Sequence, residues 1–103
     1  MLIRSQDNKK LVNINRVLQL DIEEYRKDRG YYYSKSYDMG EQCFVIHAGS
    51  CPVGEYSNME TAMMVLDMIE QHYAEFQKSV LCPSMYPCKP IFQMPEEEEV
   101  PMD

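Results

Sequence analysis
Apolar residues recur along this chain with two different periods. Between Ser57 and Lys78 they fall at Met59, Ala62, Val65, Leu66, Ile69, Tyr73 and Phe76, three or four positions apart. That spacing gathers them into one stripe on an α-helix. Asp67, Glu70, Gln71, Glu75 and Lys78 fall largely off the stripe. Ser57 and Glu60 stand at capping-box spacing, so the helix is predicted to open at Ser57. Elsewhere the period is two or the runs are short. Met1–Ser5 and Leu11–Ile14, joined by the turn-forming Gln6-Asp7-Asn8-Lys9-Lys10, read as a hairpin. Val17–Tyr25 alternates, with Leu18, Leu20 and Ile22 on one side and Gln19, Asp21 and Glu23 on the other. Cys43–Ala48 and Pro52–Tyr56 flank the turn signal Gly49-Ser50 and read as a second hairpin.

These elements predict an α+β fold, an antiparallel sheet of four to five strands packed against one long α-helix, as a single domain over residues 1–95. Within it, residues 26–42 read as a Tyr-rich loop, because Asp28, Gly30, Ser34, Ser36, Asp38 and Gly40 are loop formers. Residues 79–90 carry three prolines without periodicity and read as a Cys/Pro-rich link. Ile91–Pro95 reads as a short last strand. Residues 96–103 open with four glutamates and are predicted to form a solvated, flexible acidic tail.

Charge narrows the range of functions. The chain has 103 residues and a formal net charge of −7, with basic residues only in small groups. Direct binding to nucleic acid or to an anionic membrane surface is not expected. No apolar run reaches membrane-spanning length. Met1-Leu2-Ile3 is followed at once by Arg4, so no secretory signal is read, and a cytoplasmic location with reduced thiols is expected.

Candidate chemistry is sparse. Cys43, Cys51, Cys82 and Cys88 lack the close pairing of zinc knuckles. His47 and His72 adjoin no nucleophile motif, and the glycines form no phosphate loop. Asp21, Glu23 and Glu24 read as a solvated strand face. No catalytic residue, metal site or cofactor is assigned. Tyr31, Tyr32, Tyr33 and Tyr37 are the candidate partner-binding residues, since tyrosine combines rigid contact area with a polar tip. A purely structural reading places Tyr31–Tyr33 in a strand with alternate rings buried. Met59, Met63, Met64 and Met68 widen the apolar coverage of the helix, as expected for a larger core or a self-associating face.

Three segments carry a resemblance. They are Ile3-Arg4-Ser5-Gln6-Asp7 with Lys10-Leu11-Val12-Asn13-Ile14-Asn15, Gly54-Glu55-Tyr56-Ser57 before Val65-Leu66-Asp67-Met68-Ile69, and Phe92-Gln93-Met94-Pro95. In this order they resemble small uncharacterised proteins of Firmicutes, such as clostridia and streptococci, and of their phages and prophages. The Tyr-rich loop and the Cys/Pro link depart from that pattern. The group carries no activity to transfer, so the resemblance implies only a bacterial or phage-borne accessory protein. The function expected from the sequence is a non-enzymatic protein–protein interaction module, with a protein partner or a second copy of itself. The alternative is a small enzyme or zinc-binding protein using the cysteine and histidine set.

Overall fold
A computed structural model describes residues 1–82 and 88–101. The part of the Cys/Pro link over residues 83–87 and the end of the acidic tail lie outside the described residues. The elements are β1 (Leu2–Arg4), β2 (Leu11–Asn13), β3 (Leu20–Asp28), β4 (Tyr31–Ser34), β5 (Glu41–Ala48), β6 (Cys51–Tyr56), α1 (Met59–Leu81) and β7 (Ile91–Gln93). Short 3-10 turns occupy Ile14–Arg16 and Glu97–Glu99. The fold is α+β. A four-stranded antiparallel sheet, in the order β4-β3-β5-β6, packs one face against α1. The opening hairpin and the last strand form a second, three-stranded sheet, with β1 between antiparallel β2 and parallel β7.

The hydrophobic run of β5 supplies the centre of the core. Phe44, Ile46 and Ala48 point toward the helix and are buried, and so are Val53 and Tyr56 of β6. The helix answers with Ala62, Val65 and Ile69, each almost wholly withdrawn from water, while Leu66, Tyr73 and Phe76 are partly buried. Ile3, Phe92 and Met94 extend the same cluster to the second sheet. Met59 and Met63 lie on the outside, and Met64 and Met68 are partly buried.

Four boundaries differ from the sequence expectation, each for a definite physical reason. The helix is capped by Asn58, not Ser57: the Asn58 side chain accepts hydrogen bonds from the Thr61 N–H (2.8 Å) and hydroxyl (2.9 Å). The Ser57 hydroxyl is instead engaged by Glu97. Strand β3 starts at Leu20, where pairing with Ala48 begins, because the 3-10 turn closes at Val17. Leu18 therefore does not face the core and is fully exposed.

Much of the 26–42 segment is not a loop. Asp28 and Gly30 read as loop formers because they lie at a two-residue turn, in which Arg29 (φ 54°) and Gly30 (φ 84°) both adopt the left-handed region between the paired Asp28 and Tyr31. Consecutive left-handed residues suit the twist of a tight hairpin, so β3 continues through Asp28 and returns as β4. Gly40 (φ 82°) closes the next connection, where an added Cβ would lie 2.6 Å from the Lys27 carbonyl oxygen. Finally, the acidic segment folds back. Glu96 and Glu99 form a reciprocal capping box around the 3-10 turn, and Val100 is buried in the core cluster.

The packing fixes which helix face matters. Ile69→Ala should lower unfolding free energy by about 2–5 kcal/mol in denaturant titration. Met63→Ala, on the outward face, should change it by less than about 0.5 kcal/mol.

Candidate binding groove
Among the described residues one α-helix packs on the four-stranded sheet, so the other face needs a different cover. Alternation assigns that face: Asp21, Glu23, Tyr25 and Lys27 from β3, Tyr32 from β4, Cys43, Val45 and His47 from β5, and Glu55 from β6 are aligned by register. Cys43 and Val45 are nonetheless buried, beneath neighbouring side chains of that face. The Tyr25 ring meets the Tyr32 ring edge-on at 6.0 Å and the His47 ring at 6.2 Å. Lys27 Nζ lies 5.4 Å from the centre of the Tyr32 ring and 3.2 Å from Glu55 Oε2. The Tyr32 hydroxyl donates to the other Glu55 oxygen.

A groove of about 670 Å³ opens over this layer. Its floor includes Tyr25, Lys27, Tyr32, Val45, His47 and Glu55. Its flanks are the β1–β2 turn, with Ser5, Gln6, Asp7 and Lys10, and the acidic turn, with Glu96, Glu97 and Glu98. Gln6 holds these parts together. Its side chain accepts from the Glu55 N–H at 2.9 Å and donates to the Glu55 carbonyl at 3.3 Å and the Pro95 carbonyl at 3.1 Å. The buried Tyr56 hydroxyl donates to the same Pro95 carbonyl at 2.8 Å. Burial, reinforced by Glu96, Glu97 and Glu99, raises the Tyr56 pKa, so it stays protonated as the donor.

The groove is strongly acidic. Asp7, Glu55, Glu96, Glu97 and Glu98 line it, against Lys10 and Lys27. Hydrogen bonds from the Ser5 hydroxyl (2.5 Å) and the Lys9 N–H (3.0 Å) hold Asp7 below the usual carboxylate range. Glu97 is lowered in the same way by the Ser57 hydroxyl (2.6 Å) and by the Ser57 N–H.

The four candidate tyrosines do not share a surface. Tyr32 faces the groove. Tyr31 and Tyr33 lie on the opposite face of β4, where Tyr33 stacks on Tyr37 with centroids 4.2 Å apart. Tyr31, Tyr32 and Tyr33 are all exposed, so the alternate burial of a packed strand is absent. Glu24 lies on the helix side of β3 and accepts from Gln42 at 2.8 Å, apart from Asp21 and Glu23.

The cysteines are free thiols. Among the described residues, the one group of three possible metal-ligating side chains is Asp21, Glu23 and His47, and no cysteine belongs to it. Burial pushes the Cys43 thiol upward, away from thiolate chemistry. Cys88 Sγ comes within 3.7 Å of His72 Nε2, but that nitrogen lies 2.9 Å from the Lys89 carbonyl oxygen. In the tautomer satisfying that carbonyl, Nε2 carries its hydrogen and cannot accept the thiol proton. Tyr25, Lys27 and Glu55 are among the groove residues that the sequence pattern did not single out. Extending the β3 alternation by one period past Tyr25 would have placed Lys27 beside Tyr25 and Glu23.

No helix among the described residues is long and apolar enough to cross a membrane. No protein-family model, curated protein or solved structure matches the chain.

The Ser57–Glu97 contact predicts a pH dependence. A carboxyl group with a lowered pKa adds stability that is complete above its ordinary 4.5 and is lost as pH falls through the lower folded value. The Ser57 amide resonance should therefore titrate with a midpoint below 4.5. Glu97→Gln should abolish that titration. A wild-type midpoint at or above the ordinary value would show that the turn is not docked through this contact.

Proposed function
We propose that this chain is a non-enzymatic protein-binding module that receives a cationic segment of a partner protein in the groove. The observation carrying this reading is the pairing of tyrosine rings with a carboxylate wall around an open cavity of about 670 Å³. Tyr25 and Tyr32 offer faces on which the stem of a lysine or the plane of an arginine can lie. Asp7 and Glu97 stay ionised through their hydrogen bonds, and Glu98 is exposed at the rim. Lys27 over the Tyr32 ring, with its charge on Glu55, is an internal copy of the contact a partner cation would make.

The same charge disfavours the rival ligands. A nucleic-acid backbone would bring phosphates against carboxylates. A second copy of a chain with net charge −7 would present like charge unless it used an apolar surface. The Tyr33–Tyr37 stack on the other face is a secondary contact surface in this reading. A bacterial or phage origin within the Firmicutes, and a cytoplasmic setting suited to free thiols, belong to the same proposal.

Fluorescence anisotropy with short labelled peptides tests it. Lysine- and arginine-rich peptides should bind, acidic peptides of equal length should not, and binding should weaken as salt is raised. Glu98→Lys should weaken binding roughly three- to tenfold, the scale of one or two exposed charge contacts of about 0.2–1 kcal/mol each. Tyr32→Ala should also weaken it. Salt-independent binding, or binding that both variants leave intact, would overturn the groove as the recognition surface.

A further inference from the structure
Two polar atoms on the free face of the four-stranded sheet are shut off from solvent and make no hydrogen bond. They are Oδ1 of Asp21 and Nδ1 of His47. They face each other at 3.8 Å, too far for a hydrogen bond. The His47 side chain is only 15% exposed and that of Asp21 is 37% exposed. Buried polar atoms are normally satisfied, so two facing orphans call for a shared partner.

A third donor is in place. Asp21 sits directly opposite His47 in the β3–β5 register, and Glu23 follows two residues later on the same face. One ligand atom from each of the three lies within 4.8 Å of the others. Their orientation is supported from outside. Gln19 Nε2 donates to Asp21 Oδ2 at 2.8 Å, and the Tyr25 hydroxyl donates to Glu23 Oε2 at 2.5 Å. Each bond engages one carboxylate oxygen and leaves the other outside it, as outer partners do around metal ligands.

We propose that Asp21, Glu23 and His47 bind one divalent transition-metal ion. The donor set would be one imidazole nitrogen and two carboxylate oxygens. Metal bonds of about 2.0–2.2 Å bring adjacent donors to about 3.0–3.5 Å, a short closure from the observed arrangement. An imidazole in the set favours iron or zinc over calcium and magnesium, which prefer all-oxygen sites, and the two carboxylates also accommodate manganese. Three protein ligands leave positions open to water or to an oxygen of a bound partner. The ion would also tie β3 to β5 through side chains. This inference goes beyond the groove proposal and stands whether or not a cationic peptide binds.

Manganese(II) is the probe, because it is harder than zinc and competes poorly for the free thiols. The full chain, stripped of metal, is titrated with Mn²⁺ while the electron paramagnetic resonance of the free ion is followed. One ion per chain should bind, and equimolar Ca²⁺ should not displace it. In NMR spectra of the unsubstituted protein, paramagnetic broadening should centre on residues 19–25 and on His47. Asp21→Asn, Glu23→Gln and His47→Gln should each lower affinity at least tenfold. Lack of uptake at millimolar Mn²⁺ would overturn the site. So would affinity within twofold of wild type in all three variants, displacement by Ca²⁺, or broadening centred on Glu96–Glu99. Should a substitution unfold the chain, the broadening map of the unsubstituted protein still decides.

Discussion
The Gln6 amide is the joint on which the arrangement of the two sheets depends. Strand β6 is an edge, and an edge strand presents backbone groups without a neighbouring strand. Gln6 meets that need with one side chain, accepting from the N–H of Glu55 and donating to its carbonyl, while its own N–H reaches the Val53 carbonyl at 2.8 Å. The same amide reaches Pro95, the point where the chain leaves β7. One residue thus sets the opening hairpin, the edge of the large sheet and the acidic turn in fixed relation, and the groove is the space this leaves.

A second constraint shapes the chemistry of that space. One helix covers one sheet face, and Phe44, Ile46 and Ala48 take it. The opposite face cannot carry a bare apolar surface without inviting association. Its solution is an amphipathic layer in which Tyr25, Tyr32, Lys27 and Glu55 bond to one another or to neighbours and bury Val45 and Cys43 beneath. Such a layer protects the strands and still displays aromatic and charged groups.

The parts of the fold legible in the sequence were those with strong local signals. The stripe from Ala62 to Phe76 located the helix, and the Gly49-Ser50 turn located the β5–β6 hairpin. The Arg29-Gly30 turn escaped because arginine carries little preference for the left-handed region, so the segment looked like a loop. Ser57 and Asn58 are both good caps, and the choice depended on Glu97, forty residues away in sequence. The docking of the acidic turn could not be read locally either, since four consecutive glutamates look solvated until Ser57 and the core contact of Val100 are supplied. Of the four candidate tyrosines, only Tyr32 lines the groove. The Asp21–His47 juxtaposition rests on β3–β5 register, which periodicity alone does not specify.

The parallel pairing of β1 with β7 has a bearing on how the chain is made. Ile3 is fully buried, and its strand needs Phe92 alongside it. On a ribosome, the β1–β2 hairpin emerges early but waits on the order of ten seconds, at ordinary elongation rates, for its second neighbour. Throughout that interval the apolar side chains of Met1 and Ile3 have no completed sheet to enter. The nascent chain therefore makes this apolar hairpin long before the strand that completes its sheet, so chaperone capture of the early hairpin would bear directly on the yield of native protein.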